Sequence, residues 1–147
     1  MNEPIDLHNK ISLLHLQACF ADLSEKEMEV LASLLVEKHV PAGATIVTQG
    51  DPVDSVYLIV SGQADVKVAE IRDNQIHYQS VATLGDKDAI GLNETGFYSI
   101  SGVRTATVVA ITDMVVLRLS VAAFHGFALA YSHVSQVMRT YAEKMIG

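Results

Sequence analysis

From His39 to Leu119 the chain runs in short stretches of Val, Ile, Thr and Tyr, closed off by Gly, Pro, Asp and Asn, with no helical run among them. This pattern constrains the fold more than any other feature. Residues 45–49, 55–60, 63–71, 75–84, 105–112 and 113–119 read as strands. Pro41-Ala42-Gly43, Gly50-Asp51-Pro52, Ser61-Gly62, Asp73-Asn74 and Asp86-Lys87-Asp88 read as the turns between them. Strands this short and this close indicate an antiparallel barrel or jelly roll rather than βαβ units. One stretch, 93–104, carries Gly and Ser and is too long for a hairpin turn; loops of that length in a compact β domain usually have a task.

Helical patterns flank the β region. Ile11, Leu14, Leu16, Val30, Leu31, Leu34 and Leu35 recur at spacings of three and four, which predicts one helix over 4–19 and a second over 24–36. Ser24 with Glu27 three residues later makes a capping-box pattern, and Leu23 before it is a candidate staple; the plainer alternative is two surface residues in a polar stretch. Residues 121–147 read as helix again. Val134, Val137, Met138, Tyr141, Met145 and Ile146 draw one apolar stripe, which can dock on the chain's own roll or form a homodimer seam with a second copy.

Composition narrows the function classes. With 147 residues, half of them apolar and 18% charged, the chain has the length and greasiness of one domain with one core. Ten Lys and Arg against seventeen Asp and Glu leave a charge of −7, which opposes binding to a phosphate backbone. A single cysteine, Cys19, excludes an internal disulfide framework, a four-Cys zinc site and a Cys-ligated cluster; its position beside apolar residues predicts an inert thiol, and a reducing cytoplasm is the simplest compartment. Residues 1–10 lack the basic head and apolar run of a secretory signal, and the low-charge run 120–132 is broken by His125 and Gly126, so no membrane segment is expected.

Several motifs, taken in order, resemble the cyclic-nucleotide-binding domain family. Phe20-Ala21-Asp22-Leu23-Ser24 before a helix is similar to the start of those domains. Pro41-Ala42-Gly43-Ala44-Thr45-Ile46-Val47-Thr48-Gln49-Gly50-Asp51 resembles their glycine turn and the strand ending Gln-Gly-Asp; Val56-Tyr57-Leu58-Ile59-Val60-Ser61-Gly62 resembles the strand that follows. Leu84-Gly85-Asp86-Lys87-Asp88-Ala89-Ile90-Gly91 looks like the approach to the family's phosphate-binding cassette, and Arg104-Thr105-Ala106-Thr107-Val108 like its end. The resemblance covers about 13–146. It implies an α+β fold: an eight-stranded antiparallel β-roll (a double-stranded β-helix or jelly roll) with N-terminal helices and C-terminal helices packed on it. The expected organisation is one domain over 1–147, with a helical entry over 1–37, a roll over 38–119 holding the cassette 85–108, and C-terminal helices over 120–147.

The same resemblance implies a ligand, cAMP or cGMP, and no other cofactor. Helix-start N–H groups and a guanidinium fork are what a phosphate monoanion requires. In this sequence the implied contacts are the backbone at Gly91, Leu92 and Asn93, the Arg104 side chain, and the Thr105 hydroxyl. Two departures accompany the match. Leu92 stands where the family has the Glu that accepts from the ribose 2′-hydroxyl, and Glu94, two residues on, either replaces it or pairs with Arg104 and neutralises it. The spacing from Gly91 to Arg104 is also longer than usual. In DNA-binding members a long C-terminal helix pairs two subunits and leads into a helix-turn-helix; this sequence stops at Gly147, and Thr140 is the hydroxyl near the end that could meet a base, so DNA binding by this chain is not expected.

The histidines do not form a metal motif: His8, His15, His39, His77, His125 and His133 are scattered, with no His-x-His pair of the kind a cupin metal site uses. His77, in a strand, reads as a solvated residue rather than a haem ligand. No Gly-x-Ser-x-Gly, phosphate-cradling Gly-Lys-Ser/Thr or His-Glu-x-x-His is present, so an enzyme is not expected. Two functions remain open: a regulatory domain that binds a cyclic nucleotide, which Arg104 favours, and a degenerate copy serving dimerisation or protein interaction, which Leu92 favours.

Overall fold

The computed structural model describes residues 5–17, 20–91, 102–134 and 136–137. Two helices come first, α1 (Leu7–His15) and α2 (Glu25–Ser33). Among the described residues eight strands follow: β1 (Val36–Val40), β2 (Thr45–Val47), β3 (Ser55–Ser61), β4 (Ala64–Arg72), β5 (Gln75–Leu84), β6 (Ala89–Ile90), β7 (Thr107–Ala110) and β8 (Met114–Ser120). Helix α3 (Val121–Ala130) comes after them. The strands form two four-stranded sheets, β1-β8-β3-β6 and β2-β7-β4-β5, in which every pairing is antiparallel. The expected α+β roll is the observed one.

Local chemistry sets the start of α2 as the sequence pattern predicts. The Ser24 hydroxyl accepts from the Glu27 N–H at 3.2 Å, and the Glu27 carboxylate accepts from the Ser24 N–H at 2.8 Å, closing the capping box. Leu23 and Met28 flank the cap and are both buried in one apolar cluster, as a hydrophobic staple requires. The far end differs. The periodicity carries the helix to Val36, whereas the helix stops at Ser33 and Val36 opens β1, opposite Arg118 on β8. An apolar spacing of three and four does not distinguish a last helical turn from a first strand residue; the long-range ladder with β8 decides it. Helix α1 is also shorter than 4–19, starting after Asp6, whose carboxylate accepts from the Asn9 N–H at 2.8 Å.

Alternation along β3 and β8 splits the interior into two clusters. Val56, Leu58, Leu117 and Leu119 face the helices, where they pack with Leu14, Phe20, Met28, Leu31, Phe124 and Phe127. Ile59, Met114 and Val116 face the inside of the roll, with Val47, Ala64, Ile90 and Val108. Val134 is fully buried in the helix-facing cluster and Val137 packs against it, so the described start of the C-terminal stripe docks on the chain's own helices. Met138, Tyr141, Met145 and Ile146 lie outside the described residues, as do Cys19 and Thr140.

Several strand ends differ from the sequence pattern, two of them beside the site. The stretch 45–49 ends as a strand at Val47, where the chain turns through Gly50 at φ +90°. Residues 105–106 precede β7 rather than joining it, and line a cavity instead. Among the described residues no helix is long and apolar enough to cross a membrane.

Candidate functional site

The site begins with the chain segment that carries Arg104. Its backbone is strapped to the Gly50 turn: the Gly50 N–H donates to the Arg104 carbonyl at 2.8 Å, and the Arg104 N–H donates to the Asp51 carbonyl at 2.8 Å. The Val53 N–H donates to the Gly102 carbonyl at 3.0 Å, and Pro52 bridges Val103. The Gln-Gly-Asp turn and the Arg-Thr-Ala-Thr stretch, far apart in sequence, are thus two sides of one clamp. Gln49 reinforces it from outside, since its amide accepts from the Ala69 N–H at 2.7 Å and donates to the Ala69 carbonyl at 3.3 Å. It takes the place of a strand beside β4, whose pairing with β7 ends at Lys67.

This clamp directs the Arg104 side chain inward, leaving the residue only 7% exposed. Nη2 donates to the Ser55 carbonyl at 2.7 Å, with the Ser55 hydroxyl at 3.4 Å, and lies 3.6 Å from Asp54 Oδ1. Asp54 Oδ2 is also 3.7 Å from Arg118 Nη2, so one carboxylate serves two guanidinium groups. That carboxylate is largely exposed, and solvent weakens both pairs. Burial pushes the Arg104 guanidinium below its ordinary value, Tyr57 and Asp54 act in the opposite sense, and Arg118 adds to the lowering. An arginine remains charged through such shifts.

The second terminal nitrogen, Nη1, is buried and has no hydrogen-bond partner among the described residues. Buried donors are almost always satisfied, and a charged one is the costliest to leave bare. Gly91 sits against it. At φ +89°, a Cβ on residue 91 would lie 2.9 Å from Nη1, 3.1 Å from Val56 Cγ1 and 3.3 Å from the Ser55 carbonyl. The glycine both permits the turn after β6 and lets the backbone pack closely against the guanidinium, where a side chain would collide.

Arg104, Gly91 and Thr105 line one cavity of about 210 Å³ between the sheets. Its remaining wall is apolar, including Val47, Val66, Leu84, Ile90 and Val108. A guanidinium at the edge of an apolar chamber can hold a small anion whose other end is flat and weakly hydrated. Of the residues predicted for the site, the structure brings Gly91, Arg104 and Thr105 together, while Leu92, Asn93 and Glu94 lie outside the described residues. Sequence reasoning missed Ser55 and Asp54, which hold the guanidinium. Asp54, just before a strand, was a signal that could have been followed. The Ser55 carbonyl is a backbone group and leaves no trace in the sequence.

Among the described residues no group of three His, Cys, Asp or Glu could hold a metal ion. His133 instead meets the buried Glu27 carboxylate through Nδ1 at 2.8 Å. His77 is exposed on β5.

Comparison with known proteins shows the family of the chain. The family model for the cyclic nucleotide-binding domain matches residues 37–131. A cAMP-dependent protein kinase regulatory subunit from Colletotrichum orbiculare is 33% identical over 96 residues, which are 65% of this chain and 22% of that protein. The Pycsar effector protein PaPycTIR from Pseudomonas aeruginosa is 31% identical over 116 residues, 78% of this chain and 34% of that protein. The chain therefore spans about a third or less of the curated relatives it matches. Among solved structures, the N-terminal domain of a transcriptional regulator from Streptomyces coelicolor A3(2) superposes with a TM-score of 0.76 at 21% identity, covering 91% of each chain, a likeness of fold. The matched stretch, 37–131, covers more than half of the chain, which therefore belongs to the cyclic nucleotide-binding domain family.

Proposed function

We propose that this chain is a regulatory ligand-binding module, not an enzyme, that takes a cyclic mononucleotide, cAMP or cGMP, into the cavity between its sheets. One observation carries the proposal: Nη1 of Arg104 is buried, charged and without a partner among the described residues, and it lies against Gly91 in a residue that lines the cavity. A phosphate oxygen there would give Nη1 its partner, while Nη2 is already fixed by Ser55. The base and sugar would lie against the apolar wall, with Thr105 offering a hydroxyl and the backbone at Gly91 to Asn93 facing the phosphate. A charge of −7 supports a role away from DNA.

The output would travel through the start of α3. The Val121 N–H, at the first turn of α3, donates to the carbonyl of Asp54, the residue whose side chain faces Arg104. A phosphate drawing on Arg104 competes with that carboxylate and so biases the strand end from which α3 departs.

A second reading has its own support. Leu92 in place of the ribose-binding Glu removes one acceptor, which favours a copy that keeps the roll and has lost the nucleotide. Thermal unfolding with cAMP and with cGMP separates the two. A functional pocket stabilises the native state by about 2.7 kcal/mol at a hundredfold excess over Kd, which raises the midpoint by roughly 5–10 °C for a chain of this size. No shift with either nucleotide at millimolar concentration rejects the sensor and leaves the interaction module.

A further inference from the structure

Strand β8 is central in its sheet, paired with β1 on one side and β3 on the other, and in its sequence, MVVLRLS, Arg118 is the charged residue. Met114, Val116, Leu117 and Leu119 around it are buried. A cation in the middle of such a strand is costly to desolvate and is kept there by a partner. Arg118 lies opposite Tyr57 on β3, and cross-strand partners share a face. Its side chain therefore leaves the strand on the side of the roll interior, where Tyr57 packs.

The partner is Asp54, which is also the counter-ion of Arg104. The two contacts use different oxygens and are almost equal: Oδ2 lies 3.7 Å from Arg118 Nη2, and Oδ1 lies 3.6 Å from Arg104 Nη2. A carboxylate divided between two cations holds each less firmly than it would hold one alone. Arg118 also acts on Arg104 directly, as a like charge that disfavours the second cation. Both effects point the same way. One loosens the hold of Asp54 on Arg104, and the other adds positive potential where an anion would sit. Position favours the arrangement too, because the Asp54 carbonyl accepts from the Val121 N–H at 2.8 Å, three residues beyond Arg118. The end of β8 and the start of α3 thus hold Asp54 by side chain and by main chain.

We infer that Arg118 is a positioning residue for the anion site: it draws the Asp54 carboxylate away from Arg104 and so sets how much of that guanidinium is available to a phosphate. The inference rests on the reading that the cavity takes a cyclic nucleotide. Arg118 is not among the residues that line the cavity, and it acts through the shared carboxylate.

Calorimetric titration of cAMP and of cGMP into the full chain tests this with wild type, Arg118→Gln, Asp54→Asn and the double variant. Arg118→Gln should weaken binding about two- to fivefold, the worth of one exposed ion pair. Asp54→Asn should tighten it by a similar factor, since a neutral amide competes poorly for the guanidinium. In the Asp54→Asn background, Arg118→Gln should lose most of its effect, as coupling through the carboxylate requires. An affinity that Arg118→Gln leaves unchanged overturns the inference while the cavity reading stands. An equal loss with and without Asp54 overturns it as well, because Arg118 would then act only as a distant charge. A wild-type chain that binds neither nucleotide rejects the cavity reading, and the role of Arg118 with it. Urea unfolding of each variant checks the fold; should Arg118→Gln fail to fold, the result for Asp54→Asn decides, and no gain in affinity there refutes the competition.

Discussion

Replacing Gly91 with alanine tests how closely the backbone packs against the guanidinium. Two costs add. The backbone at φ +89° disfavours any L side chain by about 1–2 kcal/mol. The new methyl would also meet Arg104 Nη1 at 2.9 Å, Val56 Cγ1 at 3.1 Å and the Ser55 carbonyl at 3.3 Å. Ser55 is held in the β3–β8 ladder and the guanidinium is tied to it, so neither yields without loss; overpacking of this kind costs about 1–3 kcal/mol. Gly43→Ala isolates the first cost, because Gly43 sits at φ +86° with nothing within 4 Å of an added Cβ. Urea unfolding of both variants should therefore show Gly91→Ala less stable than Gly43→Ala by about 1–3 kcal/mol. Gly91→Ala should also lose the thermal response to cyclic nucleotide, which Gly43→Ala should keep. Equal destabilisation of the two would refute the close approach of Gly91 to Arg104.

Two further outcomes follow from particular side chains. Leu92→Glu restores the acceptor that the family pattern places after the glycine, and should tighten nucleotide binding about 5- to 150-fold in a calorimetric titration; an unchanged or weaker affinity contradicts the alignment of Gly91 with the family's glycine. Burial would raise the Glu27 carboxyl, but the Ser24 N–H, His133 and the Ser24 hydroxyl outweigh it and hold the group below its ordinary value of 4.5. A lowered folded value means stability that is complete above pH 4.5 and lost as the pH falls through the folded value. The stability gap between wild type and Glu27→Gln, read from urea unfolding, should therefore narrow as the pH drops below that point; a gap that stays constant or widens contradicts the assignment.

What could be read from sequence follows the range of the interactions involved. The Ser24–Glu27 cap and the Asp73-Asn74 turn were legible because a few adjacent residues determine them; both turn residues adopt positive φ, as a tight hairpin demands. Val36 was not legible, since its strand identity comes from Arg118 on β8. Arg104 and Gly91 stood out as members of a motif, yet their meeting depends on the Gly50–Asp51 backbone holding one and the β3–β6 pairing placing the other. The second polar contact of the guanidinium, the Ser55 carbonyl, belongs to no side-chain pattern at all. Periodicity likewise drew an apolar stripe through Val134 and Val137 without saying what it faces, and packing against Phe20, Met28 and their neighbours supplies the answer for those two.

The central claim is that one nitrogen of Arg104 waits for an anionic oxygen inside the roll. Calorimetric titration of cAMP and of cGMP into wild-type protein and Arg104→Lys measures this directly. Lysine keeps the charge but loses the fork that bonds Ser55 with one nitrogen and the ligand with the other, so affinity should fall about 10- to 150-fold, the worth of a hydrogen bond to a charged group. A nucleotide that binds both proteins with the same affinity would contradict the account.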